Sequence, residues 1–316
     1  MRAPDFWQSG GLLAALLSPL GLLYGASVAL KARFAKPYDP GLPVICVGNL
    51  TAGGSGKTPI AIAIANALRA RGRKPFFLTR GYGGSERGPA LVARAHGAAL
   101  MGDEALLLVR AAPTVVAKDR AAGARLAQEK GADVLVMDDG HQNFSLCKTL
   151  SLVVVDAGAG FGNGHLIPAG PLREHVATGL ARADAVILAG EGNPDLQGYA
   201  GPVLRARVRL DAGALAGKSV FAFAGIGRPE KFIASLEAEG VEVAGSCFFD
   251  DHHPYTEDEI AQLKAIAGDT MLVTTEKDFV RLSVAQREGI RAVKAVSVFD
   301  DTAALEGLLD RALGPV

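Results

Sequence analysis

Cysteine is scarce and unpatterned. Cys46, Cys147 and Cys247 are spread over 316 residues. An odd number with no metal spacing excludes a disulfide framework or a zinc ribbon and fits a reducing compartment. Aromatic residues are few, at 6%. Excess charge of either sign is missing, since 33 Lys and Arg balance 33 Asp and Glu. Without a global basic field, nucleic acid is not expected as a partner. Between Phe6 and Leu30 charge is absent altogether. What remains is 49% hydrophobic, rich in Gly and Ala. That make-up suits helices packed closely on sheets, in a chain long enough for two domains.

The stretch Val44–Thr58, VICVGNLTAGGSGKT, organises the rest. A β-branched apolar run reads as a buried strand, a glycine-rich turn follows, and Lys57, Thr58 and Pro59 open a helical pattern. Strand, glycine loop and helix make a P-loop. Backbone N–H groups of Gly53, Gly54, Ser55 and Gly56 can converge on phosphate oxygens, Lys57 can reach the β- and γ-phosphates, and Thr58 can hold Mg²⁺. The helix N-terminus adds positive potential there. The usual first glycine of the motif is Thr51 here, and Thr51 is grouped with the nucleotide-binding residues. ATP and Mg²⁺ are the expected cofactors.

The uncharged N-terminal run is long enough to span a bilayer, with Arg2 before it and Lys31, Arg33 and Lys36 after it. Export as a signal peptide would part a P-loop from its nucleotide. A spanning helix, a helix lying in the membrane interface and a buried core helix remain. The basic flank favours the interface, so residues 1–36 are expected to form a membrane-associated helix.

Beyond the P-loop helix, the strand PFFLT ends in Arg80 and Tyr82, in the position where parallel α/β sheets bind ligands. Tyr82 reads equally as a packed loop aromatic. Asp103, in GDEALLL, is most simply a helix N-cap, but a carboxylate there can also accept a proton from a substrate hydroxyl. The apolar strand Val134–Met137 runs into Asp138 and Asp139, the Walker-B arrangement for Mg²⁺. His141, in the same loop, reads as a loop residue. FGNGHLIPAGPLRE is irregular enough to wrap a ligand. In it, Arg173 is either a phosphate clamp or the ion-pair partner of Glu174. The predicted architecture is α/β: a P-loop-type, three-layer αβα domain with a parallel sheet over 37–202, an exposed β-ribbon linker over 203–217, and a second, smaller αβα domain over 218–316. In the second half Thr256 and Glu259 form a capping box. Two polar clusters, Asp250 to His253 and Glu276 to Asp278, end strands. Adjacent histidines do not point the same way, which disfavours zinc.

Taken in order, VGNLTAGGSGKTP, RGYGG, GDE, DDGHQN, FGNGHLIPAGPLRE, FFDDHHPY and TTEKDFVRL resemble the tetraacyldisaccharide 4′-kinases, the lipid A 4′-kinases of Gram-negative bacteria. The resemblance covers nearly the whole chain. It implies an enzyme on the cytoplasmic face of the bacterial inner membrane, peripheral or monotopic and monomeric. Such an enzyme transfers the γ-phosphoryl of ATP, with Mg²⁺, to the 4′-hydroxyl of an acylated disaccharide 1-phosphate. By motif match, Asp103 is the general base paired with His252, Lys57 and Thr58 serve phosphate and metal, and Asp138 and Asp139 organise Mg²⁺. Glu174 lines the site, and with Tyr82 and Arg173 it is an expected substrate contact. The family often carries Phe and His where this chain has His141 and Asn143, so no role is carried over to those two. The competing readings are a P-loop switch ATPase and a soluble small-molecule kinase. Ala52 stands where dimeric switch ATPases carry a signature lysine, which argues against the first.

Overall fold

The computed structural model describes residues 4–53, 56–227 and 229–314; Gly54 and Ser55 of the P-loop lie outside that set. Two helices open the chain, α1 (Phe6–Ser9) and α2 (Leu12–Phe34). The first half continues through β1 (Val44–Gly48), α3 (Lys57–Ala70), β2 (Pro75–Thr79), β3 (Ala90–Leu91), α4 (Ala98–Met101), α5 (Asp103–Leu108) and β4 (Thr114–Val116). It is completed by α6 (Arg120–Glu129), β5 (Val134–Asp138), β6 (Leu150–Asp156), α7 (Val176–Leu180) and β7 (Ala185–Ala189). Then come β8 (Val203–Asp211), β9 (Ser219–Ala224), α8 (Pro229–Ala238), β10 (Glu242–Phe248), α9 (Glu257–Ala267) and β11 (Met271–Thr275). The chain closes with α10 (Glu276–Phe279), β12 (Ile290–Phe299) and α11 (Thr302–Leu313).

Every residue of β1, β2 and β5 is buried, as expected of parallel strands covered on both faces. In α3 the buried positions Ile60, Ala61, Ile64, Ala65 and Leu68 make one helical stripe against the sheet. The capping box of α9 forms as read, with Thr256 Oγ1 accepting from Glu259 N–H and the Glu259 carboxylate accepting from Thr256 N–H.

The strands form one sheet in the order β10-β9-β11-β12-β8-β7-β6-β1-β5-β2-β4-β3. Pairing is parallel except at β3–β4 and at β8–β12. The expected exposed linker is therefore a shared strand: β8 pairs with β7 on one side and antiparallel with β12 on the other. A second difference concerns the end of the chain, which the expected division at 218–316 places in the second domain. Phe299, Leu305, Leu308, Leu309 and Ala312 pack instead into the first-half core with Ile60, Ile64, Leu152 and Ile187. The apolar stripe of α11 told that it was buried, not against what.

The N-terminal helix is not a core helix. Leu12, Leu13, Leu16, Leu20, Leu22, Leu23, Leu30 and Phe34 all face outward. Its contact with the body uses small residues. Gly21 and Gly25 lie so close to Leu166 that a Cβ at either would meet that residue within 3 Å, and Ser18 Oγ is 3.3 Å from His165 Nδ1. Trp7 Nε1 donates to the Pro168 carbonyl and Asn163 Nδ2 to the Phe6 carbonyl. The helix is thus fixed to the 161–172 loop while its large apolar side chains stay uncovered.

Candidate active site

The C-terminal end of β1 sets the first part of the site. Gly56 takes a left-handed conformation (φ +77°) as the residue before α3, and Gly53 lies at φ +108°. Both are geometries that favour glycine. The register Val47↔Asp138 between β1 and β5 brings the Asp138 carboxylate beside the start of α3. There Thr58 Oγ1 donates to Asp138 Oδ2 at 3.1 Å. Just ahead of the glycine turn, the chain zips onto the PLRE segment. Thr51 bridges Leu172, Ala52 N–H donates to the Pro171 carbonyl, and Arg173 N–H donates to the Leu50 carbonyl. That pairing, invisible in sequence, delivers Arg173 to the P-loop.

Four charged groups meet there. Arg173 Nη1 forks onto both oxygens of Asp139 at 2.8 and 2.9 Å, and Lys57 Nζ stands 3.4 Å from Asp139 Oδ1. Burial alone would raise the Asp139 carboxyl, but Lys57 and Arg173 carry it below its ordinary value. Its neighbour behaves oppositely. Burial, with the Glu104 carboxylate next in weight, pushes Asp138 up to about 7. Asp138 Oδ1 is buried with no hydrogen-bond donor among the described residues. An orphaned carboxylate oxygen beside a threonine hydroxyl suits Mg²⁺, which is usually held by one or two protein oxygens plus phosphate oxygens. A dedicated protein cage is not built: among the described residues no three His, Cys, Asp or Glu side chains cluster for a metal.

The alternative in which Arg173 simply pairs with Glu174 is overturned. Glu174 is 4% exposed and its carboxylate is held by Arg182 Nη2 at 2.8 and 2.7 Å. Gln142 Nε2 donates to Glu174 Oε1 and to the Asn49 carbonyl, and Arg173 Nη1 lies 3.5 Å from Gln142 Oε1. Glu174 thus acts on the Arg173–Asp139 pair through Gln142, a residue the sequence reading did not single out. His141 lies beneath the P-loop strand: a Cβ on Gly48 would lie 2.6 Å from the His141 Cβ. Its Nε2 donates to the Gly179 carbonyl at 2.9 Å, so Nδ1 accepts from Ser151 Oγ at 3.1 Å. Burial, then the nearby Lys148 and Arg182 cations, lower its pKa to about 4. It is a buried neutral imidazole, not a proton carrier at neutral pH.

Asp103 does not cap its helix. Gly102 precedes α5 at φ +84°, and α5 has no side-chain cap. A Cβ on Gly102 would lie 2.3 Å from the Tyr82 carbonyl, so only glycine lets the RGYGG turn lean on GDE. That approach sets the Tyr82 backbone against Gly102, next to Asp103 in the chain, and the residue is 73% exposed. The Asp103 carboxylate meets the second half: His252 Nδ1 is 2.8 Å and Arg281 Nε 2.7 Å from Oδ2. Burial would raise Asp103; the His252 hydrogen bond and the Arg281 charge more than offset it, so its pKa is lowered. His253 is elsewhere, bonded to Glu259 at 3.0 Å and stacked on Phe249. Two further cations escaped the sequence reading. Arg281 is one. The other is Arg120, buried at the start of α6, with its Nη1 bonded to the Ala117 carbonyl. Burial, then the nearby Arg80, lower Arg120 to about 10.

The site therefore holds cations and acidic groups suited to triphosphate and metal at one end, and a hydrogen-bonded carboxylate at the other. Known proteins resemble this chain over nearly its whole length. The family model for tetraacyldisaccharide-1-P 4′-kinase, LpxK, matches residues 13–314. The chain is 50% identical to the tetraacyldisaccharide 4′-kinase of Rhodospirillum rubrum over 98% of both chains. It is 51% identical to that of Methylobacterium sp. strain 4-46, over 98% of this chain and 97% of the other. The solved structure of LpxK from Aquifex aeolicus in complex with ATP superposes with a TM-score of 0.79 at 25% identity, covering 96% of this chain and all of that one.

Proposed function

Because the chain belongs to the tetraacyldisaccharide 4′-kinase family, a family of enzymes, we propose that it moves the γ-phosphoryl group of ATP onto the 4′-hydroxyl of an acylated disaccharide 1-phosphate. One observation carries the reading: Lys57, Thr58, Asp138, Asp139 and Arg173 converge at the P-loop while Asp103, outside that cluster, keeps one oxygen without a partner among the described residues. Lys57 and the N–H groups of the glycine turn bind the triphosphate. Arg173, forked on Asp139, can turn its charge toward a phosphoryl group. Thr58 and Asp138 would hold Mg²⁺, which would supply positive charge against the phosphate oxygens.

A sugar hydroxyl is a poor nucleophile at neutral pH. Asp103 accepts its proton, and His252 holds the carboxylate in place. Asp103 and His252 come from opposite halves, so the pair is complete only when residues 37–202 and 218–316 meet, which limits hydrolysis of ATP by water. Tyr82, exposed on the same rim, offers a ring to the sugar. The uncovered leucines of α2, with Lys31, Arg33 and Lys36 at its end, hold the enzyme at the cytoplasmic face of the inner membrane, where the lipid acceptor lies. One chain supplies every group named here, and the protein acts as a monomer.

The test is transfer of labelled γ-phosphate from ATP to tetraacyldisaccharide 1-phosphate in detergent micelles, with and without Mg²⁺. Labelled lipid formed only with Mg²⁺ is expected; label released solely as inorganic phosphate would overturn the reading. Asp103→Asn should lower kcat by roughly 10²- to 10⁴-fold with the KM for ATP unchanged. An equal loss in both would remove Asp103 as the base.

A further inference from the structure

The turn that carries His252 is built together with Arg281. Asp278, fully buried in α10, accepts four hydrogen bonds from side chains and backbone. Its Oδ1 takes the Gly225 N–H at 3.0 Å, the Tyr255 hydroxyl at 2.9 Å and Arg281 Nη1 at 2.9 Å, and its Oδ2 takes the Thr275 hydroxyl at 2.6 Å. The Gly225 carbonyl in turn accepts from Arg281 Nη1 at 2.8 Å and from His252 N–H at 3.2 Å. The guanidinium is therefore aimed before it reaches the first half. Its side chain is 5% exposed. The adjacent Val280 packs among Met101, Ala105 and Leu106, on the elements that carry Asp103.

Two donors then land on one oxygen. His252 Nδ1 donates to Asp103 Oδ2, which leaves Nε2 to accept from Lys277 Nζ at 3.4 Å. Arg281 Nε donates to the same Oδ2. Asp103 Oδ1 receives no hydrogen bond among the described residues, so it is the oxygen left to take a proton. We propose that Arg281 is a positioning residue for phosphoryl transfer, which fixes from the second half which oxygen of Asp103 meets the acceptor hydroxyl. The proposal rests on Asp103 being the base.

The charge of Arg281 has a consequence that packing alone lacks. Around Asp103 stand Glu104 on α5, and from the second half His252, Arg281, Lys277, Asp251 and Asp278. Among the described residues Arg281 is the only Lys or Arg in direct contact with the Asp103 carboxylate, so its loss raises the pH at which Asp103 ionises.

The experiment measures kcat, KM for ATP and the acid limb of the rate profile for the full chain in detergent micelles, in wild type, Arg281→Met and Arg281→Lys. Arg281→Met should lower kcat about 100-fold, as a misplaced reacting group does, with the KM for ATP unchanged. Its acid limb should move up by about one pH unit. Arg281→Lys keeps the charge but not the fork; it should keep the wild-type limb and lose about tenfold in kcat. If Arg281→Met does not fold, the lysine variant alone decides, since wild-type kcat in it overturns the positioning role. A lowered kcat with an unmoved limb in Arg281→Met also overturns it, as that would mark a purely structural residue. Asp103→Asn keeps the two readings apart: activity retained in that variant refutes the base itself, whatever Arg281 does.

Discussion

His141→Phe tests how the P-loop strand is supported. Burial and two nearby cations lower His141 to about 4, from the ordinary 6.5. Below pH 6.5 the unfolded chain binds a proton that the folded chain refuses. The stability His141 confers is full above 6.5 and is lost as pH falls toward 4, at about 1.4 kcal/mol per unit and about 3 kcal/mol in all. Phenylalanine, the residue the family often has there, does not titrate. At pH 8 it strands the Ser151 hydroxyl and the Gly179 carbonyl that His141 satisfies, at roughly 1 kcal/mol each. The variant should thus be about 2 kcal/mol less stable at pH 8, match the wild type near pH 5, and exceed it below. For a chain of this size, at roughly 2 °C per kcal/mol, its melting point should lie about 4 °C lower at pH 8 and about 2 °C higher at pH 4. Melts followed by circular dichroism in detergent micelles measure this. All other titrating groups are common to both proteins, so the difference isolates His141. A melting-point difference that does not change with pH would refute the buried neutral imidazole.

Three further outcomes are expected. Replacing Leu16, Leu20 and Leu23 together by serine should release the protein from anionic vesicles in a flotation assay while ATP binding holds; continued flotation would disprove the anchor. Thr256→Ala should cost about 1 kcal/mol through loss of the capping box on α9, read from urea unfolding. Asp138→Asn should raise the Mg²⁺ concentration that transfer needs, yet in EDTA leave the fold at least as stable at pH 8, because the wild-type carboxyl, raised to about 7, is there a buried charge without a donor on Oδ1 among the described residues. Unchanged Mg²⁺ dependence would exclude Asp138 as a ligand.

Much of the first half was legible because its signals are local. Continuous apolar runs marked β1, β2 and β5, and the glycine turn before Lys57 fixed where α3 begins. Long-range pairing was not legible. Nothing near Arg173 announces Asp139, since the two meet only because the 171–173 segment zips onto residues 50–52. Nor does RARVRLD reveal a strand shared by both halves, because its antiparallel partner β12 lies more than eighty residues on. Asp103 resembled an N-cap because a carboxylate at a helix start usually is one; its distant partners His252 and Arg281 gave it another use. His252 itself was reachable only through the family resemblance, and its φ of +64° could not be read from DDHH.

The return of α11 to the first-half core has a consequence for how the protein is made. About 230 residues separate the end of α3 from the start of α11. At ~5–20 residues per second the ribosome needs roughly 10 to 50 s to cross that interval. Through it Ile64, joined by Leu152 and Ile187 as they are made, lacks the cover that Leu305, Leu308 and Leu309 later give. The nucleotide-binding half is therefore finished late in translation, after the second half has emerged. A nascent chain stopped before α11 carries the glycine loop on an unfinished core, and the ability to bind ATP matures together with the half that supplies His252 and Arg281.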